Sequence, residues 1–108
     1  MRYYAVAELE ITDPGWVQAY VEAVTPLVEA HGGRYLARTP RAEKFEGERP
    51  LPGIFMLIDW PSKEAAEAFY ESAEYAPYRR SRERGARNEF ALVAGEDVSG
   101  AARIEERP

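Results

Sequence analysis

Glu8 and Asp59 are the residues best placed by type and position to do chemistry. Each carboxylate sits near the carboxyl end of a stretch with strand character. Glu8 shares a strand face with Tyr4 and Val6, and Asp59 shares one with Phe55 and Leu57. If those faces coincide on neighbouring strands, the two carboxylates meet in a partly dry site. Like charges in low dielectric raise the pKa of one partner, which suits a general base. The plainer reading makes both of them rim residues paired with Arg34 or Arg38, since structural ion pairs are common. His31, the one histidine, stands at the end of a helical pattern, where the negative end of the helix dipole favours imidazolium. It is either a cap or the partner of Asp59. The expected catalytic set is therefore Glu8, His31 and Asp59. Tyr4, Arg34, Arg38 and Tyr78 are the expected substrate-binding residues, with Arg34 or Arg38 holding an anionic group.

Other chemistries are poorly served. Without cysteine there is no thiolate nucleophile and no cysteine-bound zinc. His31, Glu8 and Asp59 would make three metal ligands, but the usual facial triad takes two histidines. Nothing demands a haem-sized apolar cavity. No metal and no cofactor are expected. There is no Ser-His-Asp signature, P-loop or G-x-G-x-x-G run. Arg79, Arg80, Arg82, Arg84 and Arg87 form a basic cluster, read as a solvated helix face answering Glu71, Glu74 and Glu83. A phosphate- or carboxylate-binding patch is the alternative. Tyr20, Tyr35, Tyr70, Tyr75, Tyr78 and Trp60 read mostly as core, with a ligand pocket between helices and sheet as the other use for such rings.

The elements that must position these residues follow from periodicity. Tyr3 to Ile11 alternates as a strand. Asp13 and Pro14 open a helix whose apolar residues include Val17, Val21, Val24 and Val28, and Pro26 is expected to kink it. In His31-Gly32-Gly33-Arg34-Tyr35 the glycines stop that helix and turn the chain into a strand over 35–38. Ala42 to Phe45 either continues that strand or pairs separately, and 46–53 is a loop. The unbroken run from Ile54 to Ile58 reads as a central strand covered on both faces. Ser62 caps a second helix, a third helical segment runs to about Arg84, and Phe90 to Ala94 lies in a last strand.

The order β-α-β-β-α-β is the split unit of ferredoxin-like folds. The fold class is α+β, with an antiparallel sheet and the helices on one face. Right-handed crossovers are expected to place the first and third strands side by side and parallel. The other face is bare, and a small domain does not leave a wide apolar face in water. A homodimer through that open face, making a dimeric α/β barrel, solves the problem. The domain spans residues 1–95, and 96–108 reads as a loose tail.

Composition agrees. The chain has 108 residues, 45% hydrophobic and 31% charged, which fits one globular domain and not a disordered chain. About two thirds of the surface exposed on unfolding is buried at this size, so the core is modest. A net charge of −5 argues against nucleic acid as partner. No apolar run approaches the roughly 20 residues of a membrane span. Met1-Arg2-Tyr3-Tyr4 shows no signal-peptide core, so a cytoplasmic location is expected.

In their order, Asp13-Pro14, His31-Gly32-Gly33-Arg34-Tyr35, Pro61-Ser62 and Ser72-Ala73-Glu74-Tyr75 resemble the bacterial family known as domain of unknown function 1330, over residues 3 to 95. The resemblance implies a dimeric α/β-barrel domain in a superfamily that includes cofactor-free monooxygenases and haem-handling enzymes. It carries over no catalytic residue, and the loop at 39–53 departs from the family in its proline and charge. Two functions follow as expectations. One is a cofactor-independent enzyme acting on a small organic molecule, by acid/base or monooxygenase-like chemistry. The other is a non-catalytic small-molecule binder or dimeric interaction module.

Overall fold

Strand β1 (Tyr3–Ile11) alternates buried Ala5, Ala7 and Leu9 with half-buried Tyr4, Val6 and Glu8. In this computed structural model, which describes residues 1–104, that parity decides the whole layout. The buried set faces the helices, and the other set faces away from them. After β1, Asp13 accepts the Gly15 N–H (3.0 Å) and opens a short 3-10 turn (Pro14–Trp16). Helix α1 (Val17–Ala30) follows directly and runs on through Pro26. It buries Tyr20, Val24 and Val28.

His31 caps α1, and Gly32 turns the chain at φ +91°, a region that costs other residues dearly. Strand β2 (Arg34–Thr39) and strand β3 (Ile54–Trp60) come next, separated by an irregular loop. Ala42 to Phe45 lies in that loop and forms no strand, and Phe45 is fully exposed there. Prolines and charge leave the segment too few apolar groups to pair with the sheet. Ser62 Oγ accepts the Ala65 N–H at 3.0 Å to start helix α2 (Lys63–Tyr70). Ser72 Oγ bridges onward, donating to Phe69 O and accepting from Tyr75 N, and helix α3 (Ala76–Gly85) leads into strand β4 (Ala86–Ala94).

The sheet order is β2-β3-β1-β4, and every neighbouring pair is antiparallel. β1 and β3 are neighbours, as expected, but they are not parallel. Each crossover joins strands that run the same way yet are separated by a third strand between them. β3 therefore enters beside β1 from the opposite end. Tyr4 pairs with Asp59, and Glu8 pairs with Phe55.

The core lies between the sheet and α1, α2 and α3. It is built on Met56, Ile58, Trp60, Phe69 and Tyr75 together with the α1 valines. The opposite face carries Tyr4, Val6, Phe55 and Leu57, all half-buried, with exposed Leu36 and Val93. β3 is thus apolar throughout because one parity feeds the core and the other feeds this open face. After Gly95 the chain forms no helix or strand among the described residues, and local hydrogen bonds fold it into turns. Asp97 accepts hydrogen bonds from Ser99 N and Ala102 N (2.9 and 2.7 Å). The last four residues of the expected tail lie outside the described residues.

Candidate functional site

The antiparallel register separates the two carboxylates. The Glu8–Phe55 pair is four register positions from the Tyr4–Asp59 pair, about 13 Å along the strands. Glu8 and Asp59 share the open face but stand at opposite ends of it, so the expected two-carboxylate site does not form within the chain. Glu8 pairs with Arg49 of the loop at 3.1 Å. Asp59, only 4% exposed, accepts from Arg2 and Arg34, each at 3.3 Å. Tyr4, Leu36, Arg103 and Ile104 complete a polar hollow around that cluster. Tyr4, Arg34 and Asp59 are therefore the three expected site residues that the fold does bring together.

Glu8 stands apart at the other end of the same face, while His31, Arg38 and Tyr78 are on the helix side of the sheet. His31 donates from Nδ1 to Leu27 O (2.9 Å), and its ring meets Phe69 edge-on. It cannot pair with Asp59, whose side chain leaves the opposite face. Arg38 follows a bulge between Tyr35 and Ala37 that re-aims β2. Its guanidinium stacks over Tyr35 (4.3 Å) and donates to Thr25 Oγ1 on α1 (3.1 Å). Tyr78 packs against the core from α3.

These pairings have unequal stakes. Asp59 holds the partly buried Arg2, so Asp59→Asn is expected to cost about 2 kcal/mol, below the range for a fully buried pair because Arg34 is largely exposed. Glu8→Gln breaks only a surface pair and should cost less than about 1 kcal/mol. Urea unfolding of the two variants checks the ranking.

The space suited to a ligand is elsewhere. A cavity of about 400 Å³ opens between α2 and the β1–β4 side of the sheet. Trp60, Phe69, Tyr70 and Phe90 supply its aromatic walls, and Ala5 and Ala66 leave it room. Lys63, Glu67 and Glu71 stand on α2 and just beyond it, and are exposed at its mouth. The rings are held by their neighbours: Trp60 stacks on Phe69 at 5.5 Å, and Tyr70 sits 5.8 Å from Phe90.

Behind this wall lies a buried polar network. Arg82 is 1% exposed, so the basic cluster of α3 is not wholly a solvated face. Its Nε donates to Tyr75 Oη (3.3 Å) and its Nη1 to Asn88 Oδ1 (2.8 Å). Tyr75 Oη and Tyr20 Oη are 2.7 Å apart, and either hydroxyl can donate. Burial pushes the Tyr20 hydroxyl far above the usual phenol range, an effect that neighbouring Tyr75 reinforces and Arg82 only partly offsets. Arg79, by contrast, is a surface residue, 3.8 Å from Glu83 and stacked over Tyr70.

Sequence reasoning missed the burial of Arg82, and it offered a helix–sheet pocket only as the second use of rings that include Trp60 and Tyr70, both of which line the cavity. A signal for Arg82 exists: Tyr75, Tyr78 and Arg82 fall at helical spacing of 3 and 4, so Arg82 continues the buried stripe. For the cavity, the signal is small residues, Ala5 and Ala66, at core positions.

The fold is an α+β ferredoxin-like domain. The chain belongs to the family described as Domain of unknown function (DUF1330), which matches residues 2–96. Among solved structures, a protein of unknown function from Rhodopseudomonas palustris is similar over 85% of this chain and 80% of its own, with a TM-score of 0.72 at 12% identity. SnoaB, a cofactor-independent oxygenase from Streptomyces nogalater, matches over 89% of this chain and 94% of its own (TM-score 0.62, 11% identity). A dimeric ferredoxin-like protein of unknown function from Jannaschia matches over 87% and 99% (TM-score 0.62, 15% identity). No curated protein matches the sequence. At such identities the likeness concerns the fold. Among the described residues no helix is long and apolar enough to cross a membrane, and no group of three His, Asp or Glu converges.

Proposed function

We propose that this protein takes a small, flat, largely apolar organic molecule into the helix–sheet cavity and acts on it without a resident cofactor. The carrying observation is the cavity itself: about 400 Å³ walled by Trp60, Phe69, Tyr70 and Phe90. Aromatic walls with a few polar groups at one end are the usual build of a small-molecule site. Glu67 and Glu71 at the mouth supply carboxylates to take a proton from a ligand whose acidic edge faces solvent. The oxygenase among the structural neighbours supports cofactor-free chemistry by analogy of fold, which is a weaker warrant than the site. The interior of the cavity holds no carboxylate or histidine, and this favours the second reading, a non-catalytic binder.

The working unit in this proposal is a homodimer joined through the open sheet face. The apolar side chains of Leu36, Val93, Phe55 and Leu57 on that face are its support, and the Jannaschia neighbour is itself dimeric. Light scattering on the purified protein tests it.

Ligand binding is tested by thermal shift with polycyclic phenols, quinones and indoles. A ligand at about 100 times its Kd should add ~2.7 kcal/mol, or about 10 °C in Tm for a domain of this size. Ala66→Phe fills the cavity and should abolish the shift. Oxygen uptake on mixing ligand with the protein alone separates enzyme from binder.

A further inference from the structure

We propose that the cavity favours ligands that carry a negative charge, because Arg82 holds an uncompensated cation directly behind its wall. This rests on the cavity being the ligand site.

Arg82 has only neutral partners. Tyr75 and Asn88 accept from it. Nη2 is buried with no hydrogen-bond partner. Among the described residues no carboxylate pairs with Arg82. A guanidinium taken out of water without a counter-ion is a costly arrangement, and its charge is screened neither by solvent nor by an adjacent anion. The field therefore reaches beyond the contact shell.

The cavity is the space it reaches. The guanidinium carbon lies 5.3 Å from the Phe90 ring centroid, and Phe90 lines the cavity. On the other flank, the Tyr75 ring lies 4.3 Å from Phe69 and 6.0 Å from Tyr70, two more of the walls. A ligand stacked on these rings sits roughly 10 Å from the cation. At that separation, with an effective dielectric constant near 20, attraction of one unit of negative charge is worth about tenfold in affinity. The mouth does not account for such a preference, since Lys63, Glu67 and Glu71 sum to one negative charge. The class of ligand is thus a flat aromatic or conjugated acid bound as its anion, such as a phenolate, enolate or carboxylate.

Two fluorescent probes with the same rings test this: 8-anilinonaphthalene-1-sulfonate, an anion, and N-phenyl-1-naphthylamine, which is neutral. Both should bind wild-type protein, and Ala66→Phe should block both. Arg82→Met should weaken the sulfonate about tenfold and leave the neutral probe within about twofold. Arg82→Lys, which keeps the charge, should restore most of the sulfonate affinity. A salt series needs no variant. Because the cation is buried, wild-type affinity for the sulfonate should change little between about 50 and 500 mM salt, whereas attraction by exposed Lys63 would be lost. Equal weakening of both probes by Arg82→Met, or a steep salt dependence in the wild type, overturns the charge preference and leaves the cavity reading intact. If neither probe binds the folded wild-type protein, the cavity reading fails, and this inference with it.

Discussion

Gly33→Ala lowers the stability of the fold by about 3 kcal/mol, at the upper end of what overpacking a core usually costs. A Cβ built at Gly33 stands 2.7 Å from Val28 Cγ1 and 2.9 Å from Trp60 Cη2. Neither neighbour can yield. Val28 is 1% exposed in the last turn of α1, and Trp60 is 2% exposed at the end of β3, stacked on Phe69. The added methyl must push α1 away from the sheet or drive Trp60 toward the cavity. A domain of this size has a total stability of only about 5–15 kcal/mol, so the loss is large. Gly47→Ala is the control. Gly47 has φ +100°, but a methyl added there meets nothing within 4 Å, so only backbone strain of about 1 kcal/mol is expected. Urea midpoints of the two variants separate packing from backbone cost. Gly33 has no positive φ, so losses at Gly33 no larger than at Gly47 would show that Val28 and Trp60 make room for the methyl after all.

The same stretch shows how much of this protein its sequence displays. His31-Gly32-Gly33-Arg34-Tyr35 marks a helix end and a strand start by local chemistry, and both are where local chemistry puts them. Alternation in β1 and the Ser62 cap are legible for the same reason: each depends on a few residues in one segment. Ala42–Phe45 misleads because a strand needs a partner edge, and no short segment contains that information. Strand direction is also a property of the whole chain. Glu8 and Asp59 each lie on the expected face, yet they part company once β1 and β3 run antiparallel. Arg82 shows the converse. Its charge suggests solvent, while its place in the Tyr75–Tyr78–Arg82 stripe points inward. The stripe prevails because two neutral polar side chains, Tyr75 and Asn88, and the Phe90 ring receive it. The cavity is the least legible feature. It is the space that Ala5 and Ala66 do not fill, and its shape depends on rings from α2, β3 and β4 together.

The Tyr20–Tyr75–Arg82 network makes the fold sensitive to alkali. Burial, reinforced by Tyr75, holds the folded-state Tyr20 hydroxyl far above its ordinary value near 10. The unfolded chain ionises that tyrosine in the ordinary range. Above about pH 10 the folded state therefore binds one more proton than the unfolded state, and stability falls as pH rises. The stabilisation is fully present below pH 10 and drains by about a factor of ten in the folding equilibrium per pH unit above it. Tyr35 adds to the same trend in a weaker form, because its raised pKa is set by partial burial and countered by Arg38. Tyr20→Phe removes the ionisable group. It should cost about 1 kcal/mol at pH 7, where it leaves Tyr75 one partner short, but flatten the slope between pH 10 and 12. The two stability curves then cross near pH 11, with the variant the more stable above it. Urea unfolding at intervals from pH 7 to 12 measures this directly. Curves that stay parallel across the alkaline range would mean that Tyr20 ionises within the folded protein, and that the cation of Arg82 offsets its burial in full.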